Sequence, residues 1–88
     1  MKILVAEDDA NSRIYLERIL KNSGYEAESA ENGRVAWDKA RCSPPGLIIS
    51  DILMPEVDGF ALCRQWKCDE TLREIPFIFY TATYTDSQ

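Results

Sequence analysis

Three short apolar runs constrain this chain more than any other feature. Ile3-Leu4-Val5, Leu47–Ser50 and Phe77-Ile78-Phe79-Tyr80 are continuous rather than alternating. A run without alternation fits a strand buried on both faces, as in a parallel sheet. Parallel neighbours need long crossovers, and the intervening segments have helical character. Ala10–Ser23 carries Ile14, Leu16, Ile19 and Leu20, read as one apolar stripe, with Asp9 as N-cap and Gly24 as C′ residue. Tyr25–Ser29 reads as a more polar strand, suited to a sheet edge. Asn32-Gly33 punctuates, and a second helix follows from about Gly33 to Arg41 with Val35, Ala36 and Ala40 inward. Pro44-Pro45-Gly46 is a loop, as is Pro55 to Gly59. Asp58 caps a third helix, Gly59 to Cys68, with Phe60 and Cys63 on its inner side and Trp66 a further candidate. The order β-α-β-α-β-α-β implies an α/β fold with right-handed crossovers.

Composition narrows the function classes. The 88 residues make one domain. The net charge is −5 and the ten Lys and Arg residues form no basic stripe, which argues against direct nucleic-acid binding. The first apolar run ends at Glu7, too short for a signal peptide or a membrane span. Cys42, Cys63 and Cys68 are odd in number and not spaced as zinc ligands, and the chain has no histidine. They are expected to be reduced, partly buried thiols of a cytoplasmic protein.

In open parallel sheets the functional site lies beyond the carboxyl ends of the strands. The first strand runs out into Glu7-Asp8, the third into Asp51 and the fourth into Thr81. Each has a bland explanation: helix capping for the first cluster, a loop for Asp51, strand preference for Thr81. Their shared position at strand ends outweighs those readings. Three converging carboxylates repel unless something positive lies among them. A hard divalent cation such as Mg²⁺ takes one or two carboxylates and leaves room for phosphate oxygens. A shielded carboxylate can then act as a nucleophile toward phosphorus.

These segments carry a resemblance. Ile3-Leu4-Val5-Ala6-Glu7-Asp8-Asp9, the stretch Asp51-Ile52-Leu53-Met54-Pro55-Glu56-Val57-Asp58-Gly59, and Ile75-Pro76-Phe77-Ile78-Phe79-Tyr80-Thr81-Ala82 resemble the receiver domains of two-component response regulators. Asn32-Gly33 followed by Ala36 is similar to that family's second helix. The resemblance covers essentially the whole chain, read as one receiver domain over 1–88. It implies a flavodoxin-like, chemotaxis-regulator-like doubly wound sheet with strand order 2-1-3-4. It implies Asp51 as phosphoacceptor, with Glu7 and Asp8 organising Mg²⁺ and Asp8 the more direct ligand. Leu53 would complete the metal site through its backbone carbonyl. Thr81 would be the switch hydroxyl. The implied function is a phosphorelay switch that promotes its own phosphorylation and dephosphorylation and is a regulatory domain rather than an enzyme. The implied partner is a histidine kinase or a phosphotransfer protein.

The family pattern departs after the fourth strand. A fifth strand ending in a lysine, an aromatic switch residue and two further helices belong to the family, and this sequence stops at Gln88. Lys39 and Lys67 sit on predicted helices and do not match the lysine. The expectation is a fragment lacking the C-terminal third, or a shortened form that borrows its edge from a partner or a second copy. The fourth strand would then be an exposed apolar edge prone to self-association. Two rival functions remain. One is a phosphorylation-independent interaction module, a pseudo-receiver, which the missing lysine favours and the intact acidic residues oppose. The other is a metal-dependent phosphatase, weakened because Leu53, two residues after Asp51, cannot transfer a proton.

Overall fold

The computed structural model describes residues 1–54 and 57–80. Its elements are β1 (Lys2–Ala6), α1 (Ala10–Asn22), β2 (Glu26–Ala30), α2 (Gly33–Cys42), β3 (Leu47–Asp51), α3 (Gly59–Cys68), a 3₁₀ turn (Leu72–Glu74) and β4 (Phe77–Tyr80). The four strands are parallel in the order β2-β1-β3-β4. This is the flavodoxin-like arrangement, and β2 lies at an edge as its polar sequence requires.

Helix ends follow the local chemistry. Asp9, Asn32 and Asp58 cap α1, α2 and α3, each side chain accepting a 2.8 Å hydrogen bond from the N–H three residues on. Gly24 follows α1 with φ 94°, a left-handed conformation that glycine adopts without penalty. The main core packs α2 and α3 onto one face of the sheet through Leu4, Ala36, Ile48, Leu62 and Trp66, with Leu72 of the 3₁₀ turn closing one end. Ile3 and Val5 alternate to the other face of β1 and are also buried. That double burial accounts for the unbroken apolar run.

Two helix faces differ from expectation. Helix α1 has no fully buried residue: Leu16 and Leu20 are half-buried, whereas Ile14 and Ile19 are exposed. At about 3.6 residues per turn, positions five apart lie roughly 140° around the axis, so Ile14 and Ile19 cannot share a face. Leu16 and Leu20, four apart, can. On α3 the buried residues are Gly59, Leu62 and Trp66, while Phe60 is exposed and Cys63 half-buried. The inner face is one step round from the predicted one. It is anchored by Trp66, whose indole N–H donates to the Ile75 carbonyl at 3.1 Å. Cys42 and Cys68 are exposed rather than partly buried, and all three cysteines are free. No helix among the described residues is long and apolar enough to cross a membrane.

Candidate functional site

The parallel register puts the carboxyl ends of β1, β3 and β4 side by side. Ala6 pairs with Ser50 and Asp51 pairs with Tyr80, so Glu7, Asp51 and Tyr80 follow in one row across the sheet. Asp8 stands at the turn into α1. Carboxylate oxygens of Glu7, Asp8 and Asp51 all lie within 4.8 Å of one another. Glu7 and Asp51 are buried, at 1% and 0% exposure, and Asp8 faces solvent.

Backbone and side chains hold this group tightly. Glu7 Oε2 accepts from the Asp9 N–H at 2.8 Å. Arg13 reaches back from α1 and donates to the Glu7 and Asp8 carbonyls at 2.9 and 3.3 Å. Asp51 Oδ1 accepts a long 3.4 Å bond from the Leu53 N–H. Its Oδ2 is buried and has no hydrogen-bond partner among the described residues. Gly59 begins α3 against this point: a Cβ there would collide with the Asp51 carbonyl oxygen. The fit is so close that α3 can start beside the site only from glycine.

The electrostatics are those of concentrated negative charge. Among the described residues no Lys or Arg side chain forms an ion pair with Glu7, Asp8 or Asp51. Burial pushes the Glu7 carboxyl above its usual range, and the charge of Asp51 and a side-chain hydrogen bond shared with Asp8 push the same way. The Tyr80 and Asp9 hydrogen bonds only partly oppose this. Burial and the bond to Glu7 likewise raise the Tyr80 hydroxyl, with the charges of Asp51 and Asp8 adding to the shift.

The predicted site residues Glu7, Asp8 and Asp51 therefore come together. Leu53 adjoins them with its side chain 60% exposed. Thr81 lies outside the described residues. Lys39 is engaged elsewhere, donating to the Ser29 carbonyl and pairing with Glu28. Sequence reasoning missed Tyr80, whose hydroxyl donates to Glu7 Oε1. The available signal was a polar tip on the last residue of an otherwise apolar strand, at the end where the carboxylates gather.

The response regulator receiver domain profile matches residues 3–88. The chain belongs to the response regulator receiver domain family. This receiver domain is 42% identical over 82 residues to response regulator PleD of Caulobacter vibrioides, covering 92% of the chain and 18% of that protein. It is 37% identical to response regulator MprA of Mycolicibacterium vanbaalenii, covering 93% of the chain and 35% of that protein. Among solved structures it superposes with TM-score 0.88 on the signal receiver domain of a signal transduction histidine kinase from Syntrophus aciditrophicus. There the identity is 44%, over 98% of this chain and 64% of that one. Vibrio cholerae chemotaxis protein CheY4 matches with TM-score 0.88 at 31% identity, over 98% of this chain and 71% of CheY4. The chain thus spans about two thirds of these solved receivers and a smaller share of the curated relatives. The fold and the regulatory class follow from this membership.

Proposed function

We propose that the receiver domain takes a phosphoryl group onto Asp51 from a histidine kinase or phosphotransfer protein in the cytoplasm, with Mg²⁺ bound among Glu7, Asp8 and Asp51. The observation that carries the reading is Asp51 itself. It is a buried carboxylate at a strand end, one oxygen of which lacks a hydrogen-bond partner among the described residues, beside two further carboxylates. A buried acceptor without a donor is costly, and a cation with hard oxygen ligands removes that cost. The donor set, all carboxylate oxygen, fits Mg²⁺ better than zinc or a soft metal.

In the reaction an Asp51 carboxylate oxygen attacks phosphorus. A P–O bond forms, the P–N bond to the donor histidine breaks, and the imidazole leaves with its electron pair. Mg²⁺, when bound, neutralises charge on the carboxylates and on the phosphoryl oxygens. Glu7 and Asp8 would hold it, with the Leu53 backbone carbonyl as a further ligand. The Thr81 hydroxyl, one residue after Tyr80 in the sequence, would be the switch group that relays the change.

The buried state of Asp51 favours one rival, a phosphorylation-independent interaction module. One experiment separates the two. The chain is incubated with acetyl phosphate and Mg²⁺, and the modified residue is mapped by mass spectrometry. Label on Asp51, lost in Asp51→Asn, is the expected result. Label on Asp8 or Asp58 overturns the assignment, and no label on any residue favours the interaction module. Melts with and without chelator check the metal: at ten times its dissociation constant Mg²⁺ adds about 1.4 kcal/mol.

A further inference from the structure

Glu7 spends both carboxylate oxygens inside the protein. Oε2 accepts from the Asp9 N–H at 2.8 Å, and Oε1 accepts from the Tyr80 hydroxyl. Tyr80 is the register partner of Asp51, and β3 lies between β4 and β1 in the sheet. The Tyr80 side chain therefore crosses the carboxyl end of β3 to reach Glu7. Asp51, on the strand it crosses, has 0% exposure. A phosphoacceptor in that state offers nothing to a donor.

We propose that Tyr80 is a positioning residue that holds the acidic site closed, its hydroxyl competing with the divalent cation for Glu7. The inference rests on reading the acidic cluster as a metal site. Without the cation, the phenol turns the positive end of its O–H dipole to Glu7 and offsets part of the repulsion from Asp8 and Asp51. The cation offsets that repulsion more strongly, but it needs the Glu7 oxygen and a path to Asp51. Removing the hydroxyl then has two effects of opposite sign. The cation-free fold weakens because Glu7 is less compensated. The cation binds more tightly because its competitor is gone and its ligands repel more in its absence. A packing role gives neither effect, since Tyr80→Phe keeps the ring and the strand.

The test is calorimetric titration of Mg²⁺ into the chain, into Tyr80→Phe and into Asp51→Asn, with melts of each in chelator. Tyr80→Phe is expected to bind Mg²⁺ about tenfold more tightly while melting lower in its cation-free form, in line with a hydrogen bond to a charged group. In the unaltered chain Mg²⁺ is also expected to release the phenol, read as a tyrosine difference band that Tyr80→Phe lacks. Equal or weaker binding by Tyr80→Phe, where the parent binds and Asp51→Asn does not, overturns the competition and leaves the metal site standing. No binding by either the parent or Tyr80→Phe overturns the metal reading and this inference together.

Discussion

Asp51 and Leu53 stand two residues apart at the end of β3, yet Asp51 is 0% exposed and the Leu53 side chain 60%. The backbone turns between them, and the Leu53 N–H points back at Asp51 Oδ1. Leu53 therefore places an apolar side chain in solvent beside Asp51, where burial gains it nothing. In the proposed reaction its effect there would be on water. Hydrolysis of an aspartyl-phosphate needs a water molecule aligned on phosphorus, and an isobutyl group neither accepts nor donates to align one. Leu53→Asn supplies both a donor and an acceptor at that place. The aspartyl-phosphate is expected to decay several-fold faster in that variant, measured as loss of radiolabel or of the acid-labile mass increment. An unchanged decay rate removes Leu53 from the control of lifetime.

At the scale of elements, legibility followed the range of the forces involved. Caps and breaks are local, and Asp9, Asn32, Asp58 and Gly24 stand where their side-chain chemistry put them. The convergence of Glu7, Asp8 and Asp51 was legible because parallel topology alone brings the strand ends together. The rotation of α3 was not, because apolar residues occur all round that helix and tertiary packing chooses among them, whereas on α1 the pairing of Ile14 with Ile19 fails on helix geometry alone. Trp66 decided α3: the largest fully buried side chain took the inner position and turned Phe60 outward. Tyr80 was illegible for a related reason. Its ring reads as a strand former, and only its register with Asp51 shows that the hydroxyl can reach Glu7. Gly59 marks a tight junction between elements. A methyl group there meets the Asp51 carbonyl, which belongs to backbone and cannot rotate away, so α3 has to move. The small gain in helix propensity does not offset this. Gly59→Ala is expected to cost about 1–3 kcal/mol in urea unfolding, as α3 is pushed away from the end of β3. Unaltered stability would show that the junction has slack.

At the scale of the whole molecule, apolar side chains remain in solvent on two sides of the sheet. Ile14, Tyr15 and Ile19 lie along α1 on one side. On the other, a tilted aromatic row runs from Trp66 through Phe77 and Phe79 to Phe60, with ring centroids 5.1–5.5 Å apart. The row goes from fully buried at Trp66 to 51% exposed at Phe60, and Ile78 on the opposite face of β4 is 47% exposed. Among the described residues β4 has a strand neighbour on one side only. Fully burying a side chain of this size contributes about 1.5–3 kcal/mol, and less where it is already half covered. Association costs at least about 4 kcal/mol in lost rigid-body freedom. Three or four such side chains from each copy therefore give at most a weak contact. The net charge of −5 on each copy opposes the contact, so added salt strengthens it. Sedimentation equilibrium of the 88-residue chain is expected to show self-association that grows with protein and salt concentration. Phe79→Lys should abolish it by placing a charge in the aromatic row without touching the acidic site. A monomer at all concentrations, with Phe79→Lys indistinguishable from the parent, would show that this face is adequately solvated as it stands.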